Sequence, residues 1–513
     1  MSDSTERDAG RVLADMAPWG TFRYGAWHPK DDAAPFEVHN PATGAVLATV
    51  GSGTAASVDA AVADARSALG PWRELSPRVR GDHLRRISAL LAEHAEELAV
   101  IESLENGKPR RDALRFDVGY AIATFHLFAG LAETLTGEVI DQGSIEAHVL
   151  PEPYGVVGAI LPFNWPPIHF AAKTAPAIAA GNTIVLKPGE QAPLTVLRMV
   201  ELVNSVLPPG VVNAVAGMEA GIALASHQDV DRITFTGAPD TGRKVMASAA
   251  RNLVPSTMEL GGKNALVVFP DADIELTVAA AVEGSFFNQG EACTATSRIL
   301  LHQDVYDEFA AKFARATELL RVGDGLDEAT DIGPMVDARQ RARVEGYLAV
   351  AAAERATLIA QGRTPTDEHL AGGHWVAPTL FGDVTADMRI AQEEIFGPVA
   401  VLMRFATEDE AVEIANGTAF GLTAAVFTSD AARGRRVALR LEAGMVFVNN
   451  YFRASLLGSP FGGVKDSGFG REGAAETLRE FTRSKNIRYV SGRTEVPQWV
   501  ASSRILAALR SGT

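Results

Sequence analysis

The run Phe286-Phe287-Asn288-Gln289-Gly290-Glu291-Ala292-Cys293-Thr294 carries the one cysteine of this 513-residue chain. A lone thiol is in most proteins a small buried filler, but the company of this one suggests chemistry. Upstream, Met258-Glu259-Leu260-Gly261-Gly262-Lys263 offers a carboxylate beside a glycine pair. Further upstream, Pro162-Phe163-Asn164-Trp165-Pro166 sets a side-chain amide between two prolines. Thiol, carboxylate and amide are a nucleophile, a general base and an oxyanion donor, the three roles that covalent acyl chemistry requires. Each also has a plainer reading, as core filler, solvated glutamate and turn residue, so their convergence in space decides between the two.

The elements that must position them alternate. Residues 154–161 form an apolar, strand-like run stopped by Pro162. After it, 171–180 suit a helix, 183–186 a strand, 194–207 a helix broken by Pro208-Pro209-Gly210, and 211–215 a strand. Then 221–227 read as helix, 232–236 as strand and 241–250 as helix. Strand and helix taking turns at this spacing predict a parallel sheet covered on both faces. A second alternation begins at 264–269 and runs through 399–405, which predicts a second α/β domain. Ahead of both, 38–44 and 46–50 read as a hairpin and 57–67 and 78–104 as helices, with Leu84, Ile87, Leu91 and Leu98 on one apolar stripe. Residues 1 to about 35 lack periodicity and include Pro18, Pro29 and Pro35, which suggests an arm laid over a surface.

Composition narrows the function. Hydrophobic residues at 47% and charged residues at 21% are globular values. A formal net charge of -16 argues against a nucleic-acid or anionic-membrane partner, because such surfaces need a basic face. One cysteine cannot close an intramolecular disulfide, and MSDSTERDAG lacks the basic-then-apolar order of a signal peptide. The uncharged run 153–172 has the length of a membrane span but is interrupted by four prolines, Asn164 and His169. A cytoplasmic protein is expected.

Seven segments carry a family resemblance: PFNWP (162–166), KPGE (187–190), FTGAPDTG (235–242), MELGGK (258–263), FFNQGEAC (286–293), EEIFGPV (393–399) and PFGGVKDSGFGRE (460–472). In order and spacing they resemble the signature blocks of the NAD(P)-dependent aldehyde dehydrogenase superfamily, from about residue 41 to about residue 488. The resemblance implies an aldehyde-dehydrogenase-like α/β fold of two doubly wound parallel-sheet domains plus a small oligomerisation sheet. It divides the chain into an NAD-binding domain (1–130 and 151–258), a catalytic domain (259–478), an oligomerisation element (131–150 and 479–495) and a C-terminal tail (496–513). A homodimer or homotetramer is implied. The tail has Trp499, Val500, Ile505, Leu506 and Leu509 at roughly helical spacing, so it reads as a helix docked on its own subunit or covering a neighbour's substrate entrance.

The resemblance also implies roles. Cys293 attacks the aldehyde, Asn164 and the Cys293 backbone N–H hold the oxyanion, and Glu259 activates water to hydrolyse the resulting thioester. Lys173 and Glu472 match a pair that relays protons. Lys187 and Glu190 hold the adenine ribose, and a carboxylate there repels a phosphate, favouring NAD over NADP. Gly237 and Gly242 flank the strand-to-helix turn that meets the pyrophosphate, where Ala238 replaces the usual Ser. Glu394 and Phe396 match contacts to the nicotinamide ribose and ring, with Pro162 and Trp165 beside the cofactor. The substrate pocket is expected to comprise Phe163, His169, Ala172, Phe287, Ala292, Thr294 and Phe461, with Trp165 also on its wall, which suits a bulky apolar or aromatic aldehyde. Arg453 before PFGG could instead hold a distal carboxylate, indicating a semialdehyde. A cofactor-independent cysteine esterase or acyltransferase is the remaining alternative. No metal is called for.

Overall fold

The computed structural model describes residue 13 and residues 19–29, 32–451 and 456–512. Among these, an eight-stranded sheet runs in the order Ala26–Trp27, Phe22–Arg23, Val212–Ala214, Thr183–Lys187, Val156–Ile160, Arg232–Thr236, Ser256–Glu259 and Gly468–Phe469. Its five central strands are parallel. Every residue of Val156–Ile160, Thr183–Lys187 and Arg232–Thr236 is buried, the pattern of strands covered by helices on both faces. Alternate side chains serve two cores: Val157, Ala159, Ile184 and Leu186 pack into one cluster, Val156, Ile160, Val185 and Ile233 into the other.

Chain order within this sheet determines where a ligand can sit. From Val156–Ile160 the chain steps outward through Thr183–Lys187 to Val212–Ala214, then returns and steps the other way through Arg232–Thr236 to Ser256–Glu259. Adjacent loops therefore part at the carboxyl ends of Val156–Ile160 and Arg232–Thr236, the switch point at which open α/β sheets leave a crevice. Pro162 to Asn164 and Gly237 lie at those ends, and Lys187 to Glu190 and Glu259 at the carboxyl ends of the neighbouring strands Thr183–Lys187 and Ser256–Glu259.

A second sheet, of seven strands among the described residues, runs Thr357–Gln361, Thr379–Gly382, Val399–Phe405, Arg298–His302, Ala265–Val268, Thr423–Phe427 and Met445–Val448. Only the outermost pair, Thr357–Gln361 with Thr379–Gly382, is antiparallel. It too has a core on each face. The link from Leu260 to Asn264 passes directly from the carboxyl end of Ser256–Glu259 to the amino end of Ala265–Val268. That short crossing brings the crevice of the first sheet against the amino ends of the second, and the Cys293 loop enters the second sheet there, just before Arg298–His302.

The remaining pieces lie outside these layers. Thr482–Val490 pairs antiparallel with Ile145–Pro153, which pairs with Glu138–Asp141, so the two segments that fitted neither alternation form one small sheet. Val500–Ser511 is a helix that buries none of its residues, and Trp499, Val500, Ile505 and Leu509 are exposed. Ala501, Ser502, Leu506 and Ala508 are partly covered. The N-terminal arm differs from expectation where it is described: Phe22–Arg23 pairs with Val212–Ala214 through Phe22 and Ala214, and Trp19 and Phe22 are buried. Backbone pairing at a sheet edge needs no periodic side chains, which is why the pattern gave no sign of it. No helix among the described residues is long and apolar enough to cross a membrane.

Candidate active site

The thiol sits on a loop built under strain. Helix Ile274–Phe286 ends and the backbone turns through Asn288 (φ 53°), Gln289 (φ 58°) and Gly290 (φ 70°). Non-glycine residues held in the left-handed region cost of order 1–3 kcal/mol each and persist only where their surroundings overdetermine them. Those surroundings are present. Asn288 Nδ2 donates to the carbonyls of Glu291 and Asn164, both at 3.1 Å, and the Glu291 N–H returns to Asn288 O at 2.9 Å. Asn264 Nδ2 donates to the carbonyls of Cys293 and Ala295, each at 2.8 Å. Gly262 allows the Cys293 carbonyl to approach, since a Cβ there would lie 2.5 Å from that oxygen. Cys293 itself is half-buried, on the wall of a cavity.

The amide and the thiol loop meet. Asn164, 3% exposed, donates from Nδ2 to the carbonyl of Glu291 at 3.0 Å, two residues before Cys293. Its Oδ1 lies 3.2 Å from Nε2 of His169. Its backbone carbonyl accepts from Lys108 Nζ at 2.9 Å as well as from Asn288. Lys108 is fully buried, paired with Asp117 at 2.5 Å and Glu102 at 2.7 Å, and lies 4.4 Å above the Trp165 ring. Burial alone would lower its pKa, but the two carboxylates hold it above the ordinary lysine value. This buried charge cluster anchors the turn that carries Asn164. Within the thiol loop, burial pushes the Glu291 carboxyl well above the usual carboxylate range, and its Oε1 accepts from the Val336 N–H at 3.2 Å.

Glu259 closes strand Ser256–Glu259, 2% exposed, with neither carboxylate oxygen hydrogen-bonded among the described residues. Burial, and then the charge of Glu472, push its pKa well above the usual carboxylate range. Gly462, at φ +155°, makes room for it, because a Cβ there would lie 2.7 Å from Glu259 Oε1. Glu472 pairs with buried Lys173 at 2.6 Å, and Lys173 also reaches Thr234 Oγ1 at 3.3 Å. Glu472 lines the same cavity as Cys293, whereas Asn164 meets the thiol loop through Glu291 O and Glu259 lies behind Gly462, the residue after Phe461 of the cavity wall.

That cavity is walled by Phe116, Tyr120, Trp165, Ile168, His169, Ala172, Phe287, Thr294, Leu456 and Phe461, with Cys293 and Glu472. Phe287 stacks on Trp165 at 5.7 Å and meets Phe116 edge-on at 4.9 Å. Of two expected pocket residues, Phe163 lies differently from expectation. Trp165 is on the substrate cavity, while Phe163 turns away from it to pack edge-on against Phe396 at 5.9 Å. Trp165 is held on the cavity side by Phe287 and Lys108. Ala292 is buried behind the loop rather than on the cavity wall. Arg453 lies outside the described residues.

The cofactor-side residues gather along the crevice. Lys187, buried, pairs with half-buried Glu190, and the Leu161 N–H donates to Lys187 O at 2.9 Å, tying that loop to the Pro162 turn. Burial lowers the Lys187 pKa. Gly237 donates its N–H to Glu259 O at 3.1 Å, and Gly242 donates within helix Pro239–Arg251 to Ala238 O at 2.9 Å. Both glycine N–H groups are thus used within the chain itself. Helix geometry leaves over those of Asp240 and Thr241 in the first turn. Thr236 Oγ1, just before Gly237, is buried with no hydrogen-bond partner among the described residues. Glu394 accepts from the Gly262 N–H at 2.9 Å, and Phe396 is held at φ 61° with its carbonyl bonded by Gln340 Nε2 at 2.6 Å.

The sequence profile described as the aldehyde dehydrogenase family matches residues 27–487. The chain belongs to that family. Its activity is the oxidation of an aldehyde. Aldehyde dehydrogenase citD of Monascus ruber is 50% identical over 493 residues, covering 96% of this chain and 97% of the relative. Putative aldehyde dehydrogenase DhaS of Bacillus subtilis is 41% identical, covering 90% and 94%. Among solved structures, betaine aldehyde dehydrogenase from Staphylococcus aureus in complex with NAD+ superposes with a TM-score of 0.92 at 36% identity, covering 97% of this chain and 99% of that one. A putative aldehyde dehydrogenase from Burkholderia cenocepacia gives 0.91 at 39% identity, covering 94% and 99%. Two parallel-sheet domains with small antiparallel sheets are thus the fold of this aldehyde dehydrogenase.

Several residues of this aldehyde dehydrogenase site gave no signal in the sequence. Phe116 and Tyr120 come from a π-helical stretch, Ala113–Val118, and the helix after it, Gly119–Leu131. The Lys108, Glu102 and Asp117 cluster reads as solvated charge until the fold buries it. Ile168 faces the cavity one residue before His169 on helix Pro166–Ala179, and a helical count from Asn164 could have found it.

Proposed function

We propose that the chain oxidises an aldehyde to a carboxylic acid with NAD+ through a covalent Cys293 intermediate, and that the aldehyde is bulky and apolar or aromatic. The observation that carries this reading is the Asn164 amide hydrogen-bonded to the Cys293 loop on the rim of an aromatic-walled cavity. As thiolate, Cys293 Sγ adds to the carbonyl carbon and gives a thiohemiacetal. Charge develops on the former carbonyl oxygen, where Asn164 Nδ2 and the Cys293 N–H are the donors. Loss of one such donor typically costs about 3 kcal/mol of barrier. NAD+, when bound, supplies the two-electron acceptor that takes hydride from that carbon. The resulting thioester stays on Cys293. Glu259 then takes a proton from water as the water attacks the thioester, releasing the acid and the thiolate. A carboxyl whose pKa burial has raised is suited to that exchange.

The crevice has the chemistry to hold NAD+. Lys187 with Glu190, and Glu394, can meet the two ribose units. Thr236 Oγ1 and the first turn of Pro239–Arg251 offer donors to the diphosphate. A 2′-phosphate would face the Glu190 carboxylate, which favours NAD over NADP. The domain roles follow: residues 1–130 with 151–258 bind the cofactor, and 259–478 carry the thiol.

Among the described residues of the cavity wall rings dominate, which suits an aromatic aldehyde. The test is an aldehyde panel run with NAD and NADP in parallel. Aromatic substrates with NAD should give the highest kcat/KM, and Glu190→Gln should weaken NAD binding by about tenfold, the loss of a charge-assisted pair. A carboxylate-bearing substrate leading the panel would favour the Arg453 reading, and turnover without either cofactor would favour an esterase or acyltransferase.

The small sheet is proposed as the subunit contact. All four residues of its edge strand Glu138–Asp141 are exposed, and Val139, Ile140, Leu150, Tyr489 and Val490 lie open on it. An exposed apolar edge strand is a template for pairing with another chain. Sedimentation at micromolar concentration should therefore give a homodimer or homotetramer, and a monomer would contradict the assignment.

A further inference from the structure

We propose that His169 is a positioning residue for the reaction: its Nε2–H, donated to Asn164 Oδ1, holds the amide with Nδ2 turned towards the Cys293 loop. The inference rests on reading Asn164 as the oxyanion donor. An amide oxygen only accepts, so the 3.2 Å contact requires the proton to be on Nε2. Nδ1 is then left without a hydrogen, and it has no hydrogen-bond partner among the described residues, consistent with that tautomer. Burial first, then the charges of Lys173 and Lys108, push the imidazole pKa well below its ordinary value, so the ring stays neutral with a single N–H.

The terminal torsion of an asparagine is broad and roughly two-fold, so the amide plane is poorly fixed by its own covalent geometry. Two anchors fix it here. Nδ2 gives one hydrogen to Glu291 O at 3.0 Å, and Oδ1 accepts from His169 at the opposite end. Rotating the amide by half a turn would set its oxygen against the Glu291 carbonyl, a repulsion in place of a bond, and its NH2 could meet Nε2 only if the imidazole proton moved to Nδ1, which has no acceptor among the described residues. With the plane held, the second Nδ2 hydrogen remains for the substrate oxygen. The anchor is itself rigid: His169 lies in the first turn of Pro166–Ala179, its N–H bonded to Trp165 O at 3.0 Å, and only 6% exposed.

A donor that is misaligned only in the transition state lowers the chemical rate at saturation rather than binding. The experiment measures single-turnover formation of NADH, with enzyme in excess and aldehyde and NAD+ saturating. It compares the unaltered chain, His169→Met, His169→Gln, Asn164→Ala and the Met and Ala changes combined, with thermal melting of each. His169→Met should slow the step by about tenfold, the value of one lost hydrogen bond. His169→Gln, whose amide nitrogen can occupy the Nε2 position, should recover to within about threefold of the unaltered rate on the same scale. Added to Asn164→Ala, the Met change should cost less than about twofold more, as coupled neighbours behave. The inference is overturned if His169→Met keeps the full rate, if Met and Gln are equally slow with unchanged melting, or if the Met loss multiplies in full onto Asn164→Ala. Should Asn164→Ala alone retain the full rate, the oxyanion reading fails, and the inference with it.

Discussion

Replacing Cys293 with alanine is expected to lower aldehyde oxidation by at least about four orders of magnitude while leaving NAD+ affinity within about twofold, because the proposed cofactor-binding groups are other residues. Without sulfur there is no covalent bond to the substrate, and positioning by Asn164 and the cavity wall cannot substitute for it. The loop should survive the change. Its shape is set by Asn288, by Asn264 holding the Cys293 carbonyl and by Gly262, none of which depends on the side chain at 293. Stopped-flow absorbance of NADH together with cofactor fluorescence titration reads both halves. An alanine variant with appreciable turnover would remove the covalent route.

Glu259→Gln should separate the two halves of the reaction. Thiol attack and oxidation do not use the carboxylate, so a first burst of NADH should persist at near-parental size. Hydrolysis does use it, so steady turnover should fall by about 10²–10⁴-fold, the usual worth of a positioned general base. The same group fixes the sign of the pH dependence. Only unprotonated Glu259 can accept a proton from water, and burial with the nearby Glu472 charge raises its pKa. Turnover of the unaltered chain should therefore rise with pH through that raised pKa and level off above it, with the acid loss setting in at a higher pH than an exposed glutamate would give. In Glu259→Gln this limb should be absent. A variant that lost burst and turnover together would place Glu259 in the first half, and one that lost neither would make Lys173 and Glu472 the base apparatus.

Much of this was legible in the residue order, and the parts that were not share a physical cause. The regular alternation from Val156 to Arg251 predicts a parallel sheet, and its strands lie where the pattern puts them. The thiol, amide and carboxylate are legible because their neighbours are unusual: glycines at the loop contacts, prolines around Asn164. Lys108 gave no sign, because a lysine in Asn106-Gly107-Lys108-Pro109 is indistinguishable in sequence from a solvated one, and its burial depends on Glu102 and Asp117 arriving from two helical segments. The displacement of Phe163 from the cavity wall was hidden for a related reason. Which of the two rings flanking Asn164 faces the cavity is set by packing partners, Phe396 for Phe163 and Phe287 for Trp165, that lie far along the chain. His169 stood out only as a polar residue at an apolar position, and its bond to Asn164 Oδ1 supplies a reason for it.

The most direct test of the central claim is the intact mass of Glu259→Gln quenched soon after mixing with an aromatic aldehyde and NAD+. The account predicts a species heavier by the acyl group, with the added mass on the peptide carrying Cys293 and absent when NAD+ is omitted. NADH formed without any covalent acyl species, or with the acyl group on a residue other than Cys293, would contradict it.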